Sequence, residues 1–231
     1  MRLNEYFNDF NTYAAGDWTV TSSSSGTSAL TDFNGGALVV TTATSAADIQ
    51  GNQLAKKSFA FTTGSQVWFS INFKLTTALT PAFMAGLANS FATLAPTDGV
   101  YFSKAASSTT MNLLITSGST STTIPVGTMA DATFYTFSFY LTGAPTNTLR
   151  IYSTIPYAGS PTAFGQPYFN GGNQEVASAS NDGINTNPLT NLPPTTTLLT
   201  AGFAVKSSGG TLAGIATIDY MLASEEIIAR F

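Results

Sequence analysis

From Val67 to Leu75 the chain alternates without a break: Val67, Phe69, Ile71, Phe73 and Leu75 are apolar, with Trp68, Ser70, Asn72 and Lys74 between them. Successive side chains of a strand point to opposite faces, so the stretch predicts a β-strand with one buried and one presented face. Tyr135, Phe137, Phe139 and Leu141 repeat the pattern, with Thr136, Ser138 and Tyr140 on the other side. Leu149-Arg150-Ile151-Tyr152 follows across the turn formers Gly143-Ala144-Pro145-Thr146-Asn147, which predicts that these two segments form an antiparallel hairpin.

Shorter strand candidates are Ala37 to Thr42, Phe59 to Phe61, Phe83 to Asn89, Gly99 to Ser103, Met111 to Thr116, Leu198 to Lys206 and Ile215 to Leu222. Clusters of Gly, Pro, Ser, Asn or Thr separate them. Only Ser224-Glu225-Glu226-Ile227-Ile228 suggests a helical turn, at the C-terminal end. Ten or more strands without intervening helices argue for an all-β fold of two antiparallel sheets packed face to face, in one domain over residues 1–231. The segment from Pro156 to Pro194 breaks the rhythm: turn formers Gly171-Gly172 and Asp182-Gly183, the Pro193-Pro194 pair, and Tyr157, Phe164, Tyr168 and Phe169 mark a long loop insertion. Its aromatics suit an arm that packs on a neighbouring subunit. Ser22-Ser23-Ser24-Ser25-Gly26 reads as a flexible surface loop.

Composition narrows the function. The chain has no Cys and no His, which excludes disulfides, thiolate nucleophiles, zinc fingers and the Ser-His-Asp triad. Its eight Lys and Arg and net charge of −4 offer little to phosphates, so no nucleic-acid partner is expected. The start of the chain reads as no export signal, and no apolar stretch is long enough to span a bilayer, so no membrane role is expected. Charged residues make up only 9% of the chain, against about a quarter in an ordinary globular protein.

Asn8-Asp9-Phe10-Asn11, Gly16-Asp17-Trp18-Thr19-Val20, Gly36 to Thr41, Val67-Trp68-Phe69, Thr97 to Phe102 and Thr217-Ile218-Asp219-Tyr220 together resemble the landmarks of tailed-phage head-associated proteins with a concanavalin-A-like (laminin-G-like) jelly roll. The resemblance covers most of the chain, and the insertion at 156–194 is its main departure. It implies that the first and last strands share a sheet. It also implies a non-enzymatic decoration or cement protein on the capsid exterior, made in the host cytoplasm. The partners implied are the major capsid protein and neighbouring copies, commonly in a trimer. A charge-poor, hydroxyl-rich surface suits such an interface, because few charges need desolvating.

Jelly rolls of this kind also serve glycoside hydrolases and lectins. Hydrolysis needs paired carboxylates, which glucanases of this fold carry at alternate positions of one strand. Neither Val67–Leu75 nor Phe134–Leu141 carries an acid, and Glu225-Glu226 reads as a solvated terminus, so no enzyme and no catalytic residue is expected. Asp98-Gly99 and Asp182-Gly183 read as turns. For calcium, Asp9, Asn11, Asp17, Asp32 and Asn34 offer oxygens in no recognised loop spacing, so no metal or other cofactor is expected. Asp9 and Asp17 are expected to cap loops through backbone N–H groups. For carbohydrate, Trp68, Asn72, Lys74, Arg150 and Tyr152 should share one sheet face, where an aromatic platform flanked by polar side chains suits sugars and protein partners alike. The alternative function is therefore a lectin-like virion module for host-surface recognition, or a minor tail or fibre component. Trp18 is expected in the core.

Overall fold

The computed structural model describes residues 2–33, 35–45, 48–143, 147–155, 174–180, 189–208 and 212–227. Its strands are β1 (Arg2–Asn8), β2 (Trp18–Ser22), β3 (Thr27–Thr31), β4 (Ala37–Thr41), β5 (Ile49–Leu54), β6 (Ser65–Leu75), β7 (Ala82–Ala88) and β8 (Gly99–Lys104). They continue with β9 (Thr110–Ser117), β10 (Thr120–Thr128), β11 (Tyr135–Thr142), β12 (Thr148–Ser153), β13 (Gln174–Ser180), β14 (Thr200–Lys206) and β15 (Ile215–Ile227). One eight-stranded sheet runs β13-β12-β11-β6-β15-β4-β3, with β1 also paired to β15. The other, seven-stranded, runs β10-β9-β8-β7-β14-β5-β2. All the pairings are antiparallel.

The alternation read in β6 and β11 holds. Val67, Phe69, Ile71, Phe73 and Leu75 are buried between the sheets, as are Tyr135, Phe137, Phe139 and Leu141. The two strands pair with each other, Phe69 opposite Phe139 and Ile71 opposite Phe137, and the rings of Phe69 and Phe139 stack at 5.5 Å. Phe73 meets Phe83 of the facing sheet at 4.0 Å between ring centroids, and Phe102 meets Phe137 at 5.4 Å. At one end of the core Trp18 is buried against Tyr6, Phe10, Tyr13 and Phe203. Burying such large aromatics is the main stabilising term in a chain this poor in charge.

Polar groups inside the sandwich are tied together. Ser28 Oγ of β3 accepts from Asn52 Nδ2 and from Gln50 Nε2, each at 3.0 Å, and Tyr13 donates to Asn52 Oδ1 at 3.0 Å. These bonds stitch one sheet to the other near the β2 and β3 edges. Ser23, in the run read as a flexible loop, is fixed instead: its hydroxyl donates to the buried Asp48 carboxylate at 2.8 Å and accepts from Ile49 N at 2.9 Å.

Other expectations are corrected as well. Ser224–Ile227 is not helical: it completes β15, held in register by β1 on one side and β6 on the other. Two long antiparallel neighbours satisfy its backbone groups and override a local helical preference. Phe59–Phe61 is no strand, only a bridge from Phe59 to Leu199. The insertion is not free of regular structure, since β13 adds a strand beside β12. Its C-terminal part lies on the chain's own sandwich, where Leu189 is buried, Thr122 bonds Thr190 at 2.6 Å and Asn191 donates to Thr122 at 2.9 Å. Tyr157, Phe164, Tyr168 and Phe169, read as an inter-subunit arm, lie outside the described residues.

The two sheets treat their outer faces differently. On the seven-stranded sheet the loop between β7 and β8 folds back over the strands, and Phe91 and Leu94 cover Ile49, Met84, Tyr101 and Ala204. Phe91 is 1% exposed. The backbone there must be bare: a Cβ on Gly51 would stand 2.2 Å from the Phe91 carbonyl oxygen, and one on Gly202 would stand 2.9 Å from the Phe91 ring. The loop is pinned at its neck by Asn89 and Asp98, and Phe91 N donates to Gln53 Oε1 at 3.2 Å.

Candidate functional site

Among the described residues, nothing covers the outer face of the eight-stranded sheet where β6, β11 and β12 run side by side. Register places Trp68 of β6 opposite Tyr140 of β11, and Tyr140 opposite Arg150 of β12. In the next row Ser70, Ser138 and Tyr152 align. Ser70 and Ser138 are small and buried, with Ser138 donating to Ser70 at 2.8 Å, so they form a low floor beside the larger rings. The Trp68 ring lies 6.1 Å from Tyr140 and 5.5 Å from Tyr152, tilted by 47° and 38°. Trp68, Tyr140, Thr142, Thr148, Arg150 and Tyr152 line a shallow, open cleft of about 480 Å³.

The hairpin fixes the polar end of this cleft. Thr148 N donates to Thr142 Oγ1 at 3.0 Å, so the threonine that closes the turn also lines the site. Arg150 is exposed beside Tyr140. Partial burial raises the Tyr140 phenol above its ordinary pKa, and Glu226 and Tyr152 push the same way while Arg150 pulls against them. The phenol therefore stays protonated at neutral pH and can both donate and accept.

Three of the five residues expected to share this face, Trp68, Arg150 and Tyr152, meet in the cleft. Asn72 is on the same face but engaged elsewhere, donating to Thr136 Oγ1 at 2.8 Å. Lys74 lies further along β6, its ammonium 4.8 Å from the centre of the Phe134 ring and 5.9 Å from that of Phe33. Tyr140, Thr142 and Thr148 were missed as site residues. Tyr140 stood in the alternation on the presented side, and setting the hairpin register would have brought it opposite Arg150.

The acids are arranged differently from the sequence reading. Glu225 is not part of a solvated tail: it is 5% exposed, and Ala60 N donates to its Oε2 at 3.4 Å. It lines a second depression of about 430 Å³, with Leu3, Asn4, Lys56, Lys57 and Leu198 among its neighbours. Glu226 is opposite Gln66 and points to the other face, so the two adjacent glutamates do not converge. Asp9 caps as expected, accepting from Asn11 N at 3.3 Å. Asp17 instead faces Lys56 at 3.7 Å on the surface. Asp98 Oδ1 accepts from Gly118 N at 3.2 Å and clamps two loops. Burial and the neighbouring Asp9 raise the pKa of Asp219. Among the described residues no three His, Cys, Asp or Glu side chains group as metal ligands. Asn34, the remaining oxygen considered for calcium, lies outside those residues. No helix among them is long and apolar enough to cross a membrane.

No protein-family model matches the chain, and no curated protein matches it by sequence. Solved structures match by shape. A protein of unknown function from Shewanella oneidensis MR-1 is similar with a TM-score of 0.62 at 13% identity, over 99% of this chain and 90% of that one. Peanut lectin is similar with a TM-score of 0.59 at 9% identity, over the whole of both chains. A Bacillus licheniformis β-glucanase gives 0.54 at 9% identity, over 95% of this chain and 97% of that one. At these identities the likeness concerns the fold, which is an antiparallel two-sheet sandwich of the concanavalin-A-like jelly-roll type.

Proposed function

We propose that this chain is a non-catalytic binding module that takes carbohydrate in the cleft of Trp68, Tyr140, Arg150 and Tyr152. The observation that carries the reading is the convergence of three rings, one guanidinium and two threonine hydroxyls in one open cleft. Sugars present apolar C–H faces to aromatic rings and hydroxyls to short polar side chains and Arg, and this lining supplies both. Two further facts support a binding role over hydrolysis. No residue lining the cleft is a carboxylate, and no strand of the seven-stranded sheet contains Asp or Glu. A glycosidase needs two such groups flanking the scissile bond.

Screening the purified chain on a glycan array tests this. Saccharide binding that falls at least about tenfold in Trp68→Ala, with the circular dichroism spectrum unchanged, is the expected result. Binding to no saccharide, or binding untouched by Trp68→Ala and Tyr152→Ala, would refute it.

A second reading places the module on the outside of a tailed-phage head, attached to the major capsid protein and neighbouring copies. Beyond the resemblance, what favours it are two exposed apolar side chains of β1: Phe7, 57% exposed, aligns through Leu222 with the Ser70–Ser138–Tyr152 row, and Leu3, 55% exposed, lies on the same face beyond the exposed Glu5. A protein partner seated on this face would take both side chains out of water. A side-chain-resolution density map of intact particles decides it, by the presence or absence of this fold on the shell.

A further inference from the structure

Sheet edges carry unpaired backbone groups, and proteins guard them with charge, proline, bulges or covering side chains. Most of the edges here are guarded. β10 contains Pro125 and a register shift at Pro125/Gly127. β13 carries Glu175 in its sequence and meets β12 through a register shift at Ile151/Tyr152. The Lys57 ammonium donates to the Glu5 carbonyl of β1. β2 begins beside the Asp17–Lys56 ion pair. Within β3, Thr27-Ser28-Ala29-Leu30-Thr31, there is none of these devices: the strand is uncharged, lacks proline and pairs with β4 in unbroken register, and the exposed Asp32 lies just past its end with no ion pair among the described residues such as Asp17 has beside β2. Among the described strands it ends its sheet, and all its residues but Ser28 are exposed.

We infer that β3 is an interaction edge and that its partner is β3 of a second copy, paired antiparallel about Ala29. That register sets Ala29 against Ala29 of the other copy, Thr27 against Thr31 and Ser28 against Leu30, and it puts Asp32, at the end of the seam, across from Gly26, so no like charges meet. It also covers apolar surface. Leu30 follows the core-side row, opposite Leu38, yet is 44% exposed, and Val20 of β2 at the same end of the sandwich is likewise 44% exposed. A continued sheet would shelter both. Pairing through five residues is small by the standard of stable interfaces, so the dimer is weak, with a dissociation constant on the order of micromolar.

The geometry gives the pairing a use that rests on the carbohydrate reading, although the pairing itself does not. A two-fold axis between antiparallel edge strands is perpendicular to the sheet, so both outer faces point the same way. β6, β11 and β12 lie three to five strands in from β3. The row of Ala29 runs through Val39 and Thr217 to Lys74, six residues along β6 from Trp68. At about 4.8 Å per strand and about 3.3 Å per residue, the two clefts would stand on the order of 60 Å apart and address one surface together.

The chain contains no cysteine, which makes the test direct. Facing residues of an antiparallel pair have Cα atoms about 4.5–5.5 Å apart, within the reach of a disulfide. Ala29→Cys should therefore oxidise to a covalent dimer much faster than Thr123→Cys on the guarded β10 edge. In sedimentation equilibrium at roughly 100 μM, well above the dissociation constant expected for so small an interface, the wild type should approach twice its 24.1 kDa. Leu30→Lys, which aims a charge into the seam, should return it to monomer. A wild type that stays monomeric would overturn the inference. So would an assembly, trimeric or other, that ignores Leu30→Lys, or cross-linking no faster at Ala29→Cys than at Thr123→Cys. Should Leu30→Lys disturb the fold, the cysteine comparison still decides. Failure here leaves saccharide binding by a single cleft untouched, and failure on the glycan array leaves the pairing untouched.

Discussion

The outer faces of the two sheets are built from similar material and end in opposite states. Each carries large side chains beside very small ones. On the seven-stranded sheet Gly51 and Gly202 make room, and the chain's own Phe91 fills it. On the eight-stranded sheet Ser70 and Ser138 make room, and Trp68, Tyr140 and Tyr152 stand around it with nothing of the described chain on top. The difference is a loop. Ten residues between β7 and β8 convert one face into a second small core, whereas no described residue lies over the rings of the other. Among the described residues the candidate ligand face is thus set apart as much by the cover it does not receive as by which side chains it presents.

Removing the cover is the strongest way to break this comparison. Phe91→Ala deletes a fully buried ring and should cost about 3–5 kcal/mol in urea denaturation. Gly51→Ala, which forces the Phe91 backbone outward, should also destabilise, by about 1–3 kcal/mol as an overpacked site. A cost below about 1 kcal/mol for Phe91→Ala would mean that the loop is only a loose drape, and that the two faces differ in appearance and not in energy.

The two tryptophans sharpen it next. Trp18→Ala should cost about 3–5 kcal/mol, because its ring is packed among four other aromatics between the sheets. Trp68→Ala, on the open face, should cost less than about 1 kcal/mol and instead abolish saccharide binding. Equal losses of melting temperature in the two variants would show that Trp68 serves the fold and not a ligand.

Much of this was legible in the residues because a strand writes its burial at every second position. Val67–Leu75 and Tyr135–Leu141 named the core strands and, by the same alternation, the presented side on which Trp68 and Tyr140 stand. Arg150 and Tyr152 followed from the hairpin. What the alternation cannot supply is distance along the strand. Lys74 shares the face with Trp68 yet pairs with Phe33 and Phe134 further along β6. The edge strands β2, β3 and β10 were harder to read, because a strand with one exposed edge and little buried area has no strict pattern to keep. The helical reading of Ser224–Ile227 failed for the complementary reason: its neighbours in β1 and β6 lie far away in sequence, and no local signal announces them. Nothing in the sequence marked the β7–β8 loop as a lid, since Phe91 becomes meaningful only once Gly51 and Gly202 are brought beneath it.

The smallest expected effect concerns charge in the covered sheet. Lys104, at the end of β8, is buried, with its ammonium donating to the carbonyls of Ala105 at 3.0 Å and Ser108 at 2.7 Å. Burial lowers its pKa to about 8. Between that value and the ordinary value of 10.5 the unfolded chain holds a proton that the folded chain has released. Stability therefore rises with pH across this window and gains nothing from Lys104 below it. The phenols of Tyr6, Tyr13, Tyr101 and Tyr140 are shifted upward by burial, so above pH 10 the unfolded chain loses their protons first and the slope reverses. Urea midpoints should thus climb modestly from pH 8 to pH 10 and then fall, and Lys104→Met should flatten the climb while leaving the fall. An unchanged climb in Lys104→Met would mean that this lysine keeps its proton when folded, held by the two carbonyls, and that the covered sheet tolerates a buried charge as readily as the open one presents Arg150.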